Sequence, residues 1–234
     1  MRWGFVPIGT NPFGNRLIRI DDASKCLKKG RSLTVEQFHQ LLRHKLLAKE
    51  PFQTMVIAAI CLGLRCSELF ALKWSDIEWD NLAINIRRGF VRGEFDRPKS
   101  DSSEAPVPLA AQLAEILWHW GLQSPFNQPD DFVFANPLKA GKVPYAPEGI
   151  QKNRIAPAAK DVGLGDGIGW HTFRHTYRTL LDETGAPLTV QQKLMRHADA
   201  RMTLKYGEAL DDSKRKANKK VVTLVLTKSK KGAR

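Results

Sequence analysis

His171-Thr172-Phe173-Arg174-His175 opens the stretch that decides this chain; Leu188 to Met195, Arg196-His197-Ala198-Asp199 and Met202-Thr203-Leu204-Lys205-Tyr206 complete it. On a helix opened by Trp170 and His171, the three-residue spacing sends the side chains of His171 and Arg174 out by one face, where together they grip one anion. Leu188, Val190, Leu194 and Met195 follow Pro187 at mostly helical spacing, which predicts a second helix with His197 at its end, beside the next turn. Tyr206 comes nine residues later, on a short run of Thr203, Leu204 and Lys205 that brings a phenol back to the same place.

An upstream segment makes the pattern specific. In Cys61-Leu62-Gly63-Leu64-Arg65-Cys66-Ser67-Glu68-Leu69, an apolar helix from Met55 to Leu62 stops at Gly63, a usual helix terminator. Ser67 is expected to cap a new helix, leaving Arg65 in the turn between the two. Arg65, His171, Arg174, His197 and Tyr206, in that order, resemble the catalytic set of the tyrosine recombinases, the phage integrase family. Gly-Leu-Arg or His-x-x-Arg alone has little specificity; the ordered combination of five has a great deal.

The chemistry of these residue types agrees with the resemblance. A phosphodiester gains negative charge as a nucleophile adds to phosphorus. Two guanidinium groups, Arg65 and Arg174, bind its non-bridging oxygens through paired hydrogen bonds and stay charged. His171 and His197 donate further hydrogen bonds. The phenol of Tyr206, with an ordinary pKa near 10, needs a base or a strongly positive site to act as nucleophile. The resemblance implies a 3′-phosphotyrosine link, no ATP and no metal or other cofactor. It also implies that a hairpin lysine, matched here by Lys99, protonates the leaving 5′-oxygen, and that Glu68 supports Arg65. His175 follows His171 by four residues, but Thr172 stands where a zinc protease needs Glu, so His175 is expected to buttress the site instead of binding a metal. One departure is visible. The family commonly has Gly before its second histidine, and this chain has Arg196; the left-handed backbone that Gly allows is costly for Arg, which predicts a different turn or a contact with a DNA phosphate.

Composition sets the class. The 234 residues are 42% hydrophobic and 26% charged, as in a globular protein long enough to bury a core. Met55 to Leu64 is the longest apolar run, too short to span a bilayer, and the first residues lack the pattern of a signal peptide, so the expected location is the cytoplasm. The net charge of +13 favours a polyanionic partner, in agreement with the double-stranded DNA that the resemblance implies. Residues 214–234 contribute nine basic residues and no acid, leaving +4 for the rest. Cys26, Cys61 and Cys66 form neither a disulfide framework nor a zinc knuckle.

Along the chain, the turn-rich residues 1–30 are expected to be a linker remnant behind a missing DNA-binding domain, residues 31–210 the catalytic domain, and residues 211–234 a basic tail. The capping pair Thr34 and Gln37 predicts a helix over about 35–48, and Pro51 another to Leu62. Residues 81–87 alternate as a half-buried strand. Two more short strands, 95–99 and 105–109, are expected to flank a turn that carries Lys99. Leu113, Ile116, Leu117 and Trp120 mark a helix over 109–120, and residues 147–162 a helix interrupted near Pro157. Residues 210–218 suit a charged helix. Val221 to Leu226 have high strand propensity and are expected to add to a sheet edge, in cis or in trans.

The fold class expected is therefore mainly α with a small antiparallel β-sheet. The activity expected is site-specific recombination by a homo-oligomer, a tetramer on DNA, moving a mobile element. A type IB topoisomerase shares the covalent step, and a DNA-binding remnant that no longer cuts is the alternative from another class.

Overall fold

A helix that is apolar on every side has to be central. Phe52–Leu62 (α2) is such a helix: Thr54 and every apolar residue along it are buried. The structure is a computed structural model that describes residues 31–91, 93–96, 106–196 and 207–227. Ahead of α2 lies Val35–Leu42 (α1), opened by the expected capping box: Thr34 N–H donates to Gln37 Oε1 (3.0 Å) and Gln37 N–H to Thr34 Oγ1 (3.2 Å). It ends six residues sooner than its periodicity predicts. The His44 imidazole takes the Leu46 N–H (3.3 Å), while Leu47 is still fully buried from a turn.

Cys66–Phe70 (α3) follows α2 across Gly63. Ile77–Glu78 (β1), Ala83–Ile84 (β2), Gly89–Val91 (β3) and Glu94–Asp96 (β4) come next. Val107–Pro108 (β5) leads into Ala111–Gln123 (α4), which buries Leu113, Ala114, Leu117 and Trp120. The pairing differs from the expected hairpin. β5 runs antiparallel to β2, with Ile84 opposite Val107, and β2 to β1; β4 pairs with β3, with Phe90 opposite Phe95. Among the described residues β4 and β5 therefore pair with different strands and not with each other, because aromatic and apolar contacts decide the partners. Phe95 stacks on Phe132 with ring centroids 5.3 Å apart, and Val107 is buried beside Ile84. Gly93 turns the β3–β4 hairpin with φ +88. Lys99, expected at the hairpin turn, lies outside the described residues. Asp76, 1% exposed, ties this region to the core by accepting from Lys73 N–H (2.8 Å) and Arg88 Nη1 (2.6 Å).

The helix expected over 147–162 is one rod in three parts: Pro147–Ile150 (α5), a π-helical turn Gln151–Ile155, and Ala156–Asp161 (α6). The wider turn sits just before Pro157, whose missing N–H interrupts the regular ladder. Trp170–Glu183 (α7) then packs across α2, burying Trp170, Phe173, Tyr177, Leu180 and Leu181, and Leu188–Met195 (α8) packs on α7.

The last described element, Gly207–Thr227 (α9), corrects two expectations. Val221 to Leu226 are helical, not a strand: Ala217, Val221, Val222 and Val225 recur at helical spacing and are buried, with α9 packed on α2, α4, α7 and α8 of its own chain. Burial outweighs the strand propensity of the valines. The boundary drawn at 210 falls inside this helix, whose Ala217, Val221, Val222 and Val225 belong to the core. Asn218 fastens it, accepting from Tyr177 Oη (2.9 Å) and donating to the Pro108 carbonyl (2.7 Å). Asn218→Ala strands both buried partners and should cost about 2–6 kcal/mol, at about 1–3 kcal/mol for each unsatisfied group. Urea unfolding measures it; a loss under about 1 kcal/mol would mean that the two partners find other bonds.

Candidate active site

Arg65 reaches its place through the turn that ends α2. Gly63 is left-handed (φ 60, ψ 20), and Arg65 is extended (φ −65, ψ 146) as the residue that opens α3. Ser67 is not the cap. Glu68, third residue of α3, reaches back and accepts the Arg65 N–H through Oε2 (2.9 Å), the return half of a capping box. Its Oε1 also accepts from Arg65 Nη1 (2.8 Å). This one carboxylate thus holds both the backbone and the side chain of Arg65, as an acidic residue supporting that arginine would.

A second guanidinium meets Glu68 from the far end of the chain. Arg196 Nη2 donates to Oε1 (3.1 Å) and Nη1 to Oε2 (3.2 Å), the two-pronged fit that suits a carboxylate. Both expectations for Arg196 are overturned. It does take the left-handed conformation (φ 51, ψ 49) at the position where the resembled pattern has Gly, a cost of about 1–2 kcal/mol. Its side chain is 2% exposed, so no DNA phosphate reaches it. The buried ion pair offsets the backbone strain.

The end of α8 then receives the site's other two arginines. Arg65 Nη2 donates to the Arg196 carbonyl (3.2 Å), and Arg174 Nη2 to the Met195 carbonyl. Arg174 Nη1 donates to the Gly63 carbonyl (2.5 Å). Carbonyls at a helix C-terminus lack partners within the helix and carry partial negative charge, so cations are favoured there. Arg174 is half-buried, and its burial, with repulsion from Arg65, pulls its pKa down to about 10, against the attraction of Glu68. It remains cationic at neutral pH. Burial likewise lowers Arg196, opposed by Glu68. Three guanidiniums around one carboxylate leave two positive charges uncompensated, and the Arg65 side chain, 39% exposed, puts one of them before solvent.

The structure thus brings Arg65, Glu68 and Arg174 together around the end of α8. His171 is exposed one helical turn before Arg174 on α7, and His175, also exposed, follows it. His197 and Tyr206 lie outside the described residues, as Lys99 does. Arg196 was the residue missed as a partner of Glu68, and the signal was present: a long cation at a position that usually needs Gly. Among the described residues, no cluster of three His, Cys, Asp or Glu suits a metal ion.

Residues 31–212 match the model of the phage integrase family. The chain belongs to the phage integrase family. It is 28% identical over 180 residues to the tyrosine recombinase XerC of Proteus mirabilis, covering 75% of this chain and 54% of that protein. It is 25% identical over 182 residues to the integrase of Staphylococcus phage L54a, covering 70% and 49%. This phage integrase chain spans about half the length of those curated relatives. In fold it is similar to the Tn1549 transposon integrase solved with transposon right end DNA, at TM-score 0.64 and 22% identity over 89% of this chain and 71% of that one. Among the described residues no helix of this family member is long and apolar enough to cross a membrane.

Proposed function

We propose that this chain is the catalytic part of a site-specific recombinase that cleaves and rejoins double-stranded DNA, working in the cytoplasm on the ends of a mobile element. One observation supports this most: Arg65 and Arg174, 109 residues apart in the chain, are held side by side on the carbonyls of Gly63, Met195 and Arg196. Two fixed cations at one point suit a phosphodiester monoanion that gains charge in the transition state.

The steps follow from the residue chemistry. The Tyr206 phenol loses its proton to solvent in the strongly positive site and its oxygen attacks phosphorus, forming a 3′-phosphotyrosine bond as the bond from phosphorus to the 5′-oxygen breaks. Lys99 gives that oxygen its proton. Arg65, Arg174, His171 and His197 stabilise the charge, while Glu68 and His175 support them. The link conserves the energy of the broken bond, so a 5′-hydroxyl from a partner strand reverses the step without ATP. Strand exchange requires two duplexes and hence several protomers, which fits a homotetramer on DNA. Residues 31–227 hold the site and the core that supports it, residues 1–30 act as a connector and residues 228–234 as a basic extension.

The test is a duplex carrying the junction of the excised element, nicked just 3′ of the scissile phosphate so that the short fragment bearing the freed 5′-hydroxyl diffuses away. On a denaturing gel the wild-type chain should form a covalent adduct and Tyr206→Phe none. An adduct that survives Tyr206→Phe would overturn the assignment of the nucleophile. Shifted DNA with no adduct for the wild-type chain would favour a non-cleaving binder. Supercoil relaxation without any joining of two sites would favour a topoisomerase.

A further inference from the structure

We infer that Arg196 is a positioning residue for the phosphate clamp, acting on Arg65 through Glu68 and through its own carbonyl, with no contact to DNA. The inference rests on the recombinase reading above and adds to it a residue that the family's usual pattern leaves as glycine.

Three observations meet at Arg196. Its guanidinium grips both oxygens of Glu68, at 3.1 and 3.2 Å, with 2% of its side chain exposed. Its carbonyl accepts from Arg65 Nη2 at 3.2 Å. Its left-handed backbone (φ 51) turns the chain at the end of α8, where the preceding carbonyl, that of Met195, takes Arg174. Side chain and main chain of one residue therefore hold Arg65 in two ways, once through the shared carboxylate and once directly. Glycine at this position supplies the turn and the carbonyl but leaves Glu68 bonded to Arg65 alone. Arg196 closes the circuit: the α3 turn, the end of α8 and the carboxylate between them move as one body. Buried groups that orient a working side chain in this manner typically change its activity 10- to 100-fold when removed.

A double-mutant cycle on the full 234-residue chain tests it, with the nicked junction duplex as the probe. Arg196→Met keeps the length and loses the ion pair; the expected result is adduct formation slowed about 10- to 100-fold. DNA affinity should change less than about threefold, and the salt dependence of binding should keep its slope, since no phosphate contact is lost. Arg196→Lys, a point cation without the fork, should restore part of the rate. Combined with Glu68→Gln, Arg196→Met should add little, because both act on one partner. A circular-dichroism melt accompanies each variant, and rates are read below its transition. The inference is overturned by a wild-type rate in Arg196→Met, by strictly additive effects in the double variant, or by a salt slope that falls by about one, the mark of a phosphate contact. No adduct from the wild-type chain overturns the recombinase reading itself, and this inference with it; an adduct from wild type that Arg196→Met matches overturns this inference alone.

Discussion

Arg174→Ala is expected to lower the rate of covalent adduct formation about a thousandfold, the upper range for losing one preorganised donor to a developing oxyanion. Arg174 is the more enclosed of the two clamp arginines. It is aimed by the Gly63 carbonyl at 2.5 Å and by the Met195 carbonyl, so it needs no reorganisation when the phosphate arrives. The alanine variant also leaves those two carbonyls without their charged donor, which costs stability, so Arg174→Lys is the sharper companion. Lysine keeps a positive charge but cannot span both carbonyls and an anion at once, and a rate intermediate between alanine and wild type is expected. The pH profile separates the two cations. Burial and repulsion from Arg65 already bring arginine down to about 10. The same surroundings act on a lysine that starts near 10.4. A lowered base loses its charge as pH rises, so the lysine variant should lose activity at lower pH than wild type does. Single-turnover rates on the nicked duplex across pH measure this; identical profiles would show that the charge at 174 does not limit the reaction.

Gly63→Ala is expected to be the most damaging added methyl among the described glycines. Gly63 has φ +60, which costs a residue with a side chain about 1–2 kcal/mol. Its added Cβ would lie 2.1 Å from Cδ1 of Tyr177, a ring that is fully buried and tied at its hydroxyl to Asn218. The ring has no room to turn aside, and overpacking of a close-packed core adds about 1–3 kcal/mol or more. A total near 4 kcal/mol is a large part of the 5–15 kcal/mol that holds a typical domain together. It should lower the melting temperature by roughly 10 °C, read by circular dichroism; a shift of a degree or two would mean that α2 and α7 separate with little resistance. The same position carries the carbonyl that aims Arg174, so the folded fraction of the variant should also cleave more slowly.

Much of this arrangement was legible because it is local. The capping box at Thr34 and Gln37, the stop at Gly63, the interruption near Pro157 and the shared face of His171 and Arg174 depend on residues within one or two turns, where bond geometry sets the outcome. The departures have one cause. Ser67 has the side chain of a cap, yet Glu68 takes the role because Arg65 and Arg196 pull its carboxylate to the start of α3. Val221 to Leu226 have the side chains of a strand, yet α2, α4, α7 and α8 together offer a groove that a helix fills. Phe95 finds Phe90 and Phe132, and Val107 finds Ile84, through packing that no spacing along the chain reveals.

By itself the amino-acid order determined which side chains are candidates for the site and in what succession: two arginines, two histidines, a lysine and a tyrosine. The tertiary structure alone decided that the end of α8 receives both clamp arginines and that Arg196, standing where glycine is usual, turns inward to Glu68. The physical reason is reach. Hydrogen-bonded turns act across three or four residues, whereas the bonds that aim Arg65 and Arg174 join positions 131 and 111 residues apart, which only the packing of α2, α7 and α8 brings within 3.2 Å.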